Sequence, residues 1–411
     1  MLEGDQKTSL IPPSAKWMPS QKNILIIAPQ PFFANRGTPM NVRAICECLG
    51  EAGYKVDLLV FPQGENLELP GVRIIRTVDL PWIKEVPVGI SFSKLILDCF
   101  MFLTAVRLVW GRKYDLIHGV EEGAVLAVLL SVFRRSKSIF DMDSSIPEQL
   151  KDSGKVHWKI LSVPAGLVEK LAMKTASAVL TVCEALTRKA ESIVPAEKIS
   201  QIEDFPTDTS PPEPATVKRL KDQFELGQRK LVVYTGNFHR AQGIEMLLDA
   251  VAVASAKEEF ILLLVGGGLE GDPLFDKISA KVSELGLQER VKLTGNRPLE
   301  EMSSFLDLAS VVVSPRIQGE NTPLKVYSYM ASGRPLVATD IYSHTQVLSQ
   351  ESAYLAAPEP EDFAKKIVLA LREDSRAIVE KAESLVKEKY SRQSFNRRLL
   401  KLYEGLLEGN G

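Results

Sequence analysis

The sequence lacks the features that mark secreted, membrane-spanning or nucleic-acid-binding proteins. Its four cysteines have no metal-ligand or redox spacing, which suits a reducing cytosol. No segment reaches the roughly 18 uncharged residues that a membrane-spanning helix needs. Acidic and basic residues nearly balance, at 52 against 50, so no global field would attract nucleic acid. We therefore expect a cytoplasmic protein without a nucleic-acid partner or a metal site.

The chain is long enough for two hydrophobic cores. Its 411 residues exceed what one ordinary α/β core holds. Residues 1–20 are polar and contain proline, without the apolar stretch of a signal peptide, so they predict a flexible tail. A Pro-, Ser- and Thr-rich stretch at 205–214 indicates a linker. We predict an N-terminal domain at 21–208, a C-terminal domain at 209–385 and a last helix at 386–411.

Short apolar runs alternate with helical patterns along both halves of the chain. The run at 23–28 predicts a buried parallel strand, a helix follows from about residue 40, and the next strand lies at 55–61. Because this alternation repeats, we predict an α/β fold with a doubly wound, mostly parallel sheet in each domain. Ligands of such sheets bind beyond the carboxyl ends of the strands, so two such domains facing each other would enclose a cleft. The amphipathic pattern at 395–407 predicts a helix that docks on another surface.

The loop at 29–39 follows the first strand and contains one glycine. Gly37 allows a ligand to approach the backbone closely at the start of the next helix, with Arg36 and Thr38 beside it. A simple turn is the alternative.

The loop at 234–243 follows the first strand of the second half. Gly236 lies where the strand ends, and Asn237, Arg240 and Gln242 supply polar side chains. Arg240 is suited to pair with a phosphate through two hydrogen bonds. A solvated strand-to-helix loop is the alternative.

The segment at 314–333 is the most informative one. Thr322 is a good helix N-cap and Pro323 suits the first helical position, so Lys325 falls in the first turn. The free amides and the helix dipole already favour an anion there, and a cation is unfavourable on its own. A diphosphate that neutralises both Lys325 and Arg316 explains this placement. A capped core helix with solvated cations is the alternative.

These segments resemble the C-terminal domain of the family 4 glycosyltransferases. The resemblance also rests on VGGG at 265–268, VKLTG at 291–295 and the run ENTPLKVYSYMASGRPLVAT from Glu320. In the first half, RGTP, DLIHGVEEG and DMDSSIPEQL resemble landmarks of the same family. The resemblance implies a GT-B fold, a nucleotide-diphosphate-sugar donor, a retaining transfer to a hydroxyl acceptor, no required cofactor, and a last helix that crosses back onto the first domain.

The resemblance also implies roles for individual residues. Lys325 and Arg316 would stabilise the leaving diphosphate, Glu320 would orient the sugar, and Asp143 would orient or deprotonate the acceptor hydroxyl. The implied catalytic residues are Asp143, Glu320, Lys325 and Arg316; the donor contacts are Gly37, Gly236, Asn237, Arg240, Gln242, Asn321, Thr322, Leu324 and Ser328; the acceptor contacts are Arg36, Thr38, His118, Glu121 and Glu122.

The sequence departs from the family pattern at three places. Ser328 aligns with the second carboxylate, which usually grips the ribose, and Asn237 and Gln242 align with the usual Arg and Lys pair. Asp143 takes the place of a His that the family often presents near the reaction centre. Two alternatives therefore stay open: a noncatalytic nucleotide-sugar-binding subunit, and a sugar-nucleotide epimerase or hydrolase.

The stretch at 94–113 is apolar on most faces and ends in basic residues, as does the next apolar run. Such a helix can lie on an anionic membrane face, in which case the acceptor would be a lipid or a lipid-linked glycan. A helix packed onto the sheet is the simpler interpretation. His118 follows a strand and is either a site residue or structural, and His344 has no partner visible in the sequence.

Overall fold

The computed structural model describes residues 22–34, 37–83, 86, 92–145, 156–207 and 210–408, and the side chains of 156–161 are not covered. The chain divides into two compact units. Unit 1 takes in the chain up to Val182, then Thr187–Ile202, and the residues from Gln393 on. Unit 2 consists of Cys183–Leu186 and Glu203–Arg392.

Strands and helices alternate in both units. The strands are β1 Asn23–Ile27, β2 Lys55–Val60, β3 Val72–Arg76, β4 Leu116–Val120, β5 Lys137–Met142, β6 Ala178–Thr181, β7 Ile199–Gln201, β8 Lys230–Thr235, β9 Phe260–Val265, β10 Val291–Leu293, β11 Val311–Ser314, β12 Leu336–Thr339 and β13 Tyr354–Ala356. The helices are α1 Gly37–Glu51, α2 Phe92–Gly111, α3 Gly123–Arg134, α4 Val156–Thr175, α5 Glu184–Glu191, α6 Pro214–Gln223, α7 Ile244–Ala254, α8 Pro273–Glu284, α9 Met302–Leu308, α10 Leu324–Met330, α11 Tyr342–Thr345, α12 Pro360–Arg372, α13 Arg376–Glu388 and α14 Arg392–Glu408.

Each unit is built on one parallel sheet. The strand order in the described part of unit 1 is β3-β2-β1-β4-β5-β6-β7, and in unit 2 it is β10-β9-β8-β11-β12-β13. In both sheets the first strand of the unit lies inside the sheet and the chain winds outward from it in both directions. The order reverses between β1 and β4 in unit 1 and between β8 and β11 in unit 2. These reversals are the switch points where ligands of doubly wound sheets bind.

The alternation of side chains along the strands explains why helices cover both faces of the unit 2 sheet. Val232 and Tyr234 of β8 pack with α7 and α12 on one face. Leu231 and Val233 pack with α9, α10 and α13 on the other. Since both faces are buried, β9 is a continuous apolar run, FILLLV, and every residue in it is buried.

The predicted α/β fold with two doubly wound domains is confirmed, whereas the boundaries between its parts differ from the predicted ones. Val386 and Tyr390 pack in the core of unit 2, so this unit extends to Arg392 rather than ending at 385. Apart from its first residue, Arg392, helix α14 lies in unit 1. The other boundary falls after Ile202, before the Pro-rich stretch. The sequence does not predict β7, which pairs with β6 at the edge of the first sheet.

No helix in the part of the chain that the structure describes is long and apolar enough to cross a membrane. The predicted tail lies outside the described residues.

Candidate functional site

The loops after β8 and β11 leave the unit 2 sheet at its switch point, because these two strands are neighbours there. Gly236 and Gln242 belong to the first loop, and Arg316 to the second. The second loop leads into α10, which carries Lys325 in its first turn. The structure therefore brings four residues predicted from separate segments to one edge of the sheet.

The Lys325 amine has only neutral groups as its contacts among the described residues. Its Nζ donates a hydrogen bond to Gln242 Oε1 at 3.0 Å and lies 3.9 Å from the centre of the Tyr234 ring. A Cβ added at Gly236 would come within 2.7 Å of this Nζ, and Gly236 has a φ of 133°. Glycine is therefore required at this position for both space and backbone conformation.

Arg316 is the second cation of this edge. Its Nε donates to the Gln318 carbonyl at 2.6 Å, and its guanidinium lies against Gly319, where a Cβ would clash with it. Neither Arg316 nor Lys325 forms an ion pair with a carboxylate within the described residues. Desolvation, and to a smaller extent the charge of Arg316, lowers the pKa of Lys325 well below its usual value. An anion bound here would relieve both penalties.

A buried histidine that the sequence does not identify stabilises the backbone at Arg316. His344 is fully buried, and burial lowers its pKa to about 4, so the ring is neutral. Its Nε2 lies 2.8 Å from Ser314 Oγ and its Nδ1 lies 2.9 Å from the Thr339 carbonyl. The Thr339 hydroxyl in turn donates to the Arg316 carbonyl. Through Thr339, this network fixes the backbone that presents the guanidinium.

The start of α10 differs from the prediction. Pro323 has an extended backbone, with φ −64° and ψ 131°, so it is the N-cap rather than the first helical residue. Thr322 is buried and makes no capping hydrogen bond, and the prediction that it caps the helix is wrong. Lys325 nevertheless lies in the first turn, because the helix begins at Leu324.

The other predicted donor contacts differ in how far their side chains are exposed to solvent. Asn237 and Arg240 are exposed, and the Asn237 carbonyl accepts a hydrogen bond from Tyr234 Oη at 2.6 Å. The Glu320 side chain is exposed, while its carbonyl accepts from Gln346 Nε2 at 2.7 Å. The remaining ones are half-buried: Asn321, Leu324 and Ser328.

The switch point of unit 1 carries carboxylates. Glu121 follows β4 in a left-handed conformation, with φ 51°, and accepts a hydrogen bond from Ser144 Oγ at 2.9 Å. Burial and the neighbouring Glu122 raise the pKa of Glu121 to about 7. Glu122 forms an ion pair with Lys94, a buried residue of α2 that the sequence does not single out.

Three further predicted residues lie near the ends of unit 1 strands. Asp143 is buried directly after β5. Gly37 and Thr38 begin α1, and a Cβ added at Gly37 would meet nothing within 4 Å, so space alone does not require glycine there. Arg36 lies outside the described residues.

His118, a predicted acceptor contact, lies away from the surface in the structure. The side chain is fully buried in β4, and both ring nitrogens are engaged. Nε2 lies 2.9 Å from Asp141 Oδ2, and Nδ1 lies 2.5 Å from the Tyr403 hydroxyl of α14. His118 therefore joins the last helix to the sheet of unit 1.

Comparison with known proteins finds a family match in unit 2. Residues 229–373 match the family described as Glycosyl transferases group 1. Alpha-D-kanosaminyltransferase of Streptomyces kanamyceticus is 25% identical over 196 residues, 46% of this chain and 49% of that protein. The chain thus spans about half the length of this relative. D-inositol 3-phosphate glycosyltransferase of Corynebacterium urealyticum is 25% identical over 408 residues, 90% of this chain and 91% of that protein.

The solved structures agree on the fold. Sucrose-phosphate synthase from Thermosynechococcus elongatus has a TM-score of 0.77 and 21% identity, over 95% of this chain and 100% of that chain. The two parallel sheets and this likeness define a GT-B protein. Together with the family match in unit 2, they confirm the resemblance to family 4 glycosyltransferases.

Proposed function

We propose that the chain moves a sugar from a nucleotide-diphosphate donor to a hydroxyl acceptor, with retention of configuration at the sugar. The observation that carries this proposal is the pair of partly desolvated cations, Lys325 and Arg316, at the switch point of unit 2. Such a pair is costly in the free protein and becomes favourable when a diphosphate lies beside it. The family match covers this part of the chain.

The chemistry follows from charge. As the bond from the sugar to the diphosphate breaks, negative charge grows on the leaving oxygen, and Lys325 and Arg316 stabilise it. Because these side chains supply the positive charge, we propose that no metal or cofactor is required. The exposed carboxylate of Glu320 is suited to hold sugar hydroxyls.

The acceptor side of the proposal rests on unit 1. Asp143 is suited to orient the acceptor hydroxyl and to take its proton. Glu121, whose pKa is raised to about 7, is suited to hold a hydroxyl as donor or acceptor. The two relatives named above are sugar transferases by name, and one of them is named for a phosphorylated inositol acceptor.

The test of this proposal is turnover of nucleotide-sugars by the purified chain. Lys325→Met keeps the length of the side chain and removes its charge. We expect it to lower kcat/KM by about 100-fold or more, the effect of losing one group that stabilises transition-state charge. Lys365→Met, at an exposed lysine of α12, is the matched control and should leave turnover unchanged. Equal rates for the two variants would contradict the proposal.

A noncatalytic nucleotide-sugar-binding subunit is the second candidate, favoured by Ser328 at the position of the missing carboxylate. Binding of nucleotide-sugars without turnover, across donors and acceptors, would support it. Donor breakdown or epimerisation without any acceptor would instead support a hydrolase or an epimerase.

We also propose that unit 1 contacts an anionic membrane face from the cytoplasmic side and that the acceptor is lipidic. One stripe of α2 packs on the sheet, whereas another is exposed, and α3, which contacts both α2 and α4, also exposes large apolar side chains. We call this surface the apolar outer face. It consists of Leu95, Phe102, Leu103, Trp110, Leu129, Val132, Phe133, Val163, Leu167 and Leu171.

Basic residues accompany the apolar outer face at the C-terminal parts of its helices, among them Arg107, Arg135 and Lys174. We expect the chain to pellet with anionic liposomes at low salt. Trp110→Glu should release it, whereas Trp82→Glu, at a tryptophan that is 73% exposed outside this face, should not. No pelleting of the unsubstituted chain would overturn the membrane proposal.

A further inference from the structure

A cavity of about 250 Å³ opens in unit 1 between α2 and α3, beside the ends of β1 and β4. Its walls are mostly apolar and include Met101 and Phe102 of α2 with Leu126 and Leu129 of α3. Two carboxylates, Asp98 and Glu122, also line it. The cavity thus has an apolar part and a charged part. An amphiphile, which has a hydrocarbon chain and a polar head, matches both.

The charged part of the cavity is acidic. Lys94 pairs with Glu122, and Asp98 lies one helical turn after Lys94 on α2. Glu121 adjoins the same group and interacts with both Lys94 and Glu122. Within the described residues, three carboxyl groups and one lysine therefore interact here. A bound phosphate would meet this excess of negative charge in a partly desolvated place, which is unfavourable.

A neutral hydroxyl fits the same groups. Burial and Glu122 raise the pKa of Asp98 to about 7, so near neutral pH a proton is available in the cluster. A protonated carboxyl group donates one hydrogen bond and accepts others, and a hydroxyl complements both. A hydroxyl head at this end also lies near Glu121, beside the switch point of the sheet.

The apolar part of the cavity continues into the apolar outer face. Phe102 and Leu129 belong to both, and both are exposed. Farther along the same two helices, the rings of Trp110 and Phe133 lie 5.3 Å apart and extend this surface. A hydrocarbon chain held in the cavity would therefore leave it along a surface that is already apolar.

We propose that this cavity holds the hydrocarbon chain of the acceptor, with an uncharged hydroxyl head beside Asp98 and Glu122, so that the acceptor is a neutral hydroxyl-bearing lipid rather than a lipid phosphate. The inference rests on the proposed function, because it takes the switch point of unit 1 as the acceptor site. It adds the class of the acceptor.

The test compares two probes with the same chain length, 1-monodecanoylglycerol and decyl phosphate. Both are titrated into the full chain below their micelle concentrations, and Kd is measured by calorimetry. We expect the glyceride to bind at least about tenfold more tightly than the phosphate. Phe102→Gln should weaken glyceride binding by about tenfold, because it makes one cavity wall polar. Leu103→Gln is the matched control, a neighbouring exposed residue that does not line the cavity, and should change Kd less than twofold.

Equal or tighter binding of decyl phosphate would overturn the inference, and so would equal effects of the two glutamine substitutions. Nucleotide-sugar turnover is measured on the same samples. If turnover proceeds with a soluble hydroxyl acceptor while the glyceride does not bind, only the inference fails. If the glyceride binds in the expected order while no donor is turned over, the proposed function fails and the cavity remains an amphiphile site.

Discussion

The two switch points have the same topology and opposite charge. In unit 2, two cations without a carboxylate partner in the described residues meet at the ends of β8 and β11. In the described part of unit 1, three carboxyl groups and one lysine meet near the ends of β1 and β4. Because both sheets wind in the same way, the fold decides only where a ligand binds. The loop residues decide its charge, and we propose an anion for unit 2 and a neutral group for unit 1.

We expect the largest effect on ligand binding when the unit 2 site is made acidic, because this removes the difference in charge between the two sites. Arg316→Glu places a carboxylate beside Lys325, and the new pair would occupy the place of the diphosphate. We expect the Kd for nucleoside diphosphates to rise by about 100-fold or more, measured by calorimetry with UDP and GDP.

A charge reversal at an exposed arginine of the same unit is the control for Arg316→Glu. Arg229 follows α6 and is exposed, so Arg229→Glu should leave the Kd within about twofold. If both variants bind as tightly as the original chain, the cations do not form the diphosphate site.

The sequence pattern predicts the strands and the position of Lys325 in a first helical turn, because both depend on neighbours within a few residues. Apolar runs such as FILLLV form strands that are buried on both faces, and a lysine two residues after a proline falls in a first turn even though the cap itself is predicted wrongly. The sequence also places Gly236 and Arg316 in loops after strands, where doubly wound sheets bind ligands.

The residues that the sequence does not reveal depend on contacts between distant positions. His344 bonds Ser314, 30 positions earlier, and His118 bonds Tyr403, 285 positions later. Lys94 meets Glu122 only because α2 packs against α3. The apolar pattern at 94–113 likewise shows that α2 is apolar on most faces, but only packing decides that Leu97 is covered and Leu103 is exposed.

A second prediction is that a change in unit 1 lowers the free energy of unfolding without changing nucleotide binding in unit 2. Tyr403→Phe removes the hydroxyl that lies 2.5 Å from His118 Nδ1 and leaves a buried polar atom without this partner. We expect the free energy of unfolding to fall by about 1–3 kcal/mol, measured by urea denaturation. Because the loss lies in unit 1, the Kd for UDP and GDP at the unit 2 site should not change.

Tyr342→Phe is the control for Tyr403→Phe, since Tyr342 is 43% exposed in unit 2 and should tolerate the change within about 0.5 kcal/mol. Equal stability of the two variants would show that the hydrogen bond between Tyr403 and His118 contributes nothing to the free energy of unfolding. A change in nucleotide affinity would show that the two sites are not independent.

The smallest expected effect concerns the acidic side of the contrast and its dependence on pH. Burial and Glu122 raise the pKa of Asp98 to about 7, and Lys94 opposes this shift only in part. A carboxyl group with a raised pKa in the folded state binds its proton more tightly there than in the unfolded chain. The folded state therefore loses stability as the pH rises from about 4 toward 7.

Asp98→Asn removes this titration and keeps the shape of the side chain. We expect the substitution to raise the free energy of unfolding at pH 8 by about 1 kcal/mol, the free energy of roughly one pKa unit after discounting for partial exposure. At pH 5, where Asp98 is protonated in the folded state but ionised in the unfolded chain, the gain should be smaller than at pH 8. Arg229→Gln, which removes an exposed charge from unit 2 instead, should show no such difference between pH 5 and pH 8, because it removes no carboxyl group. A gain from Asp98→Asn that is equal at the two pH values would mean that the carboxyl groups of unit 1 do not hold a shared proton, and the contrast between the two switch points would then be one of position alone.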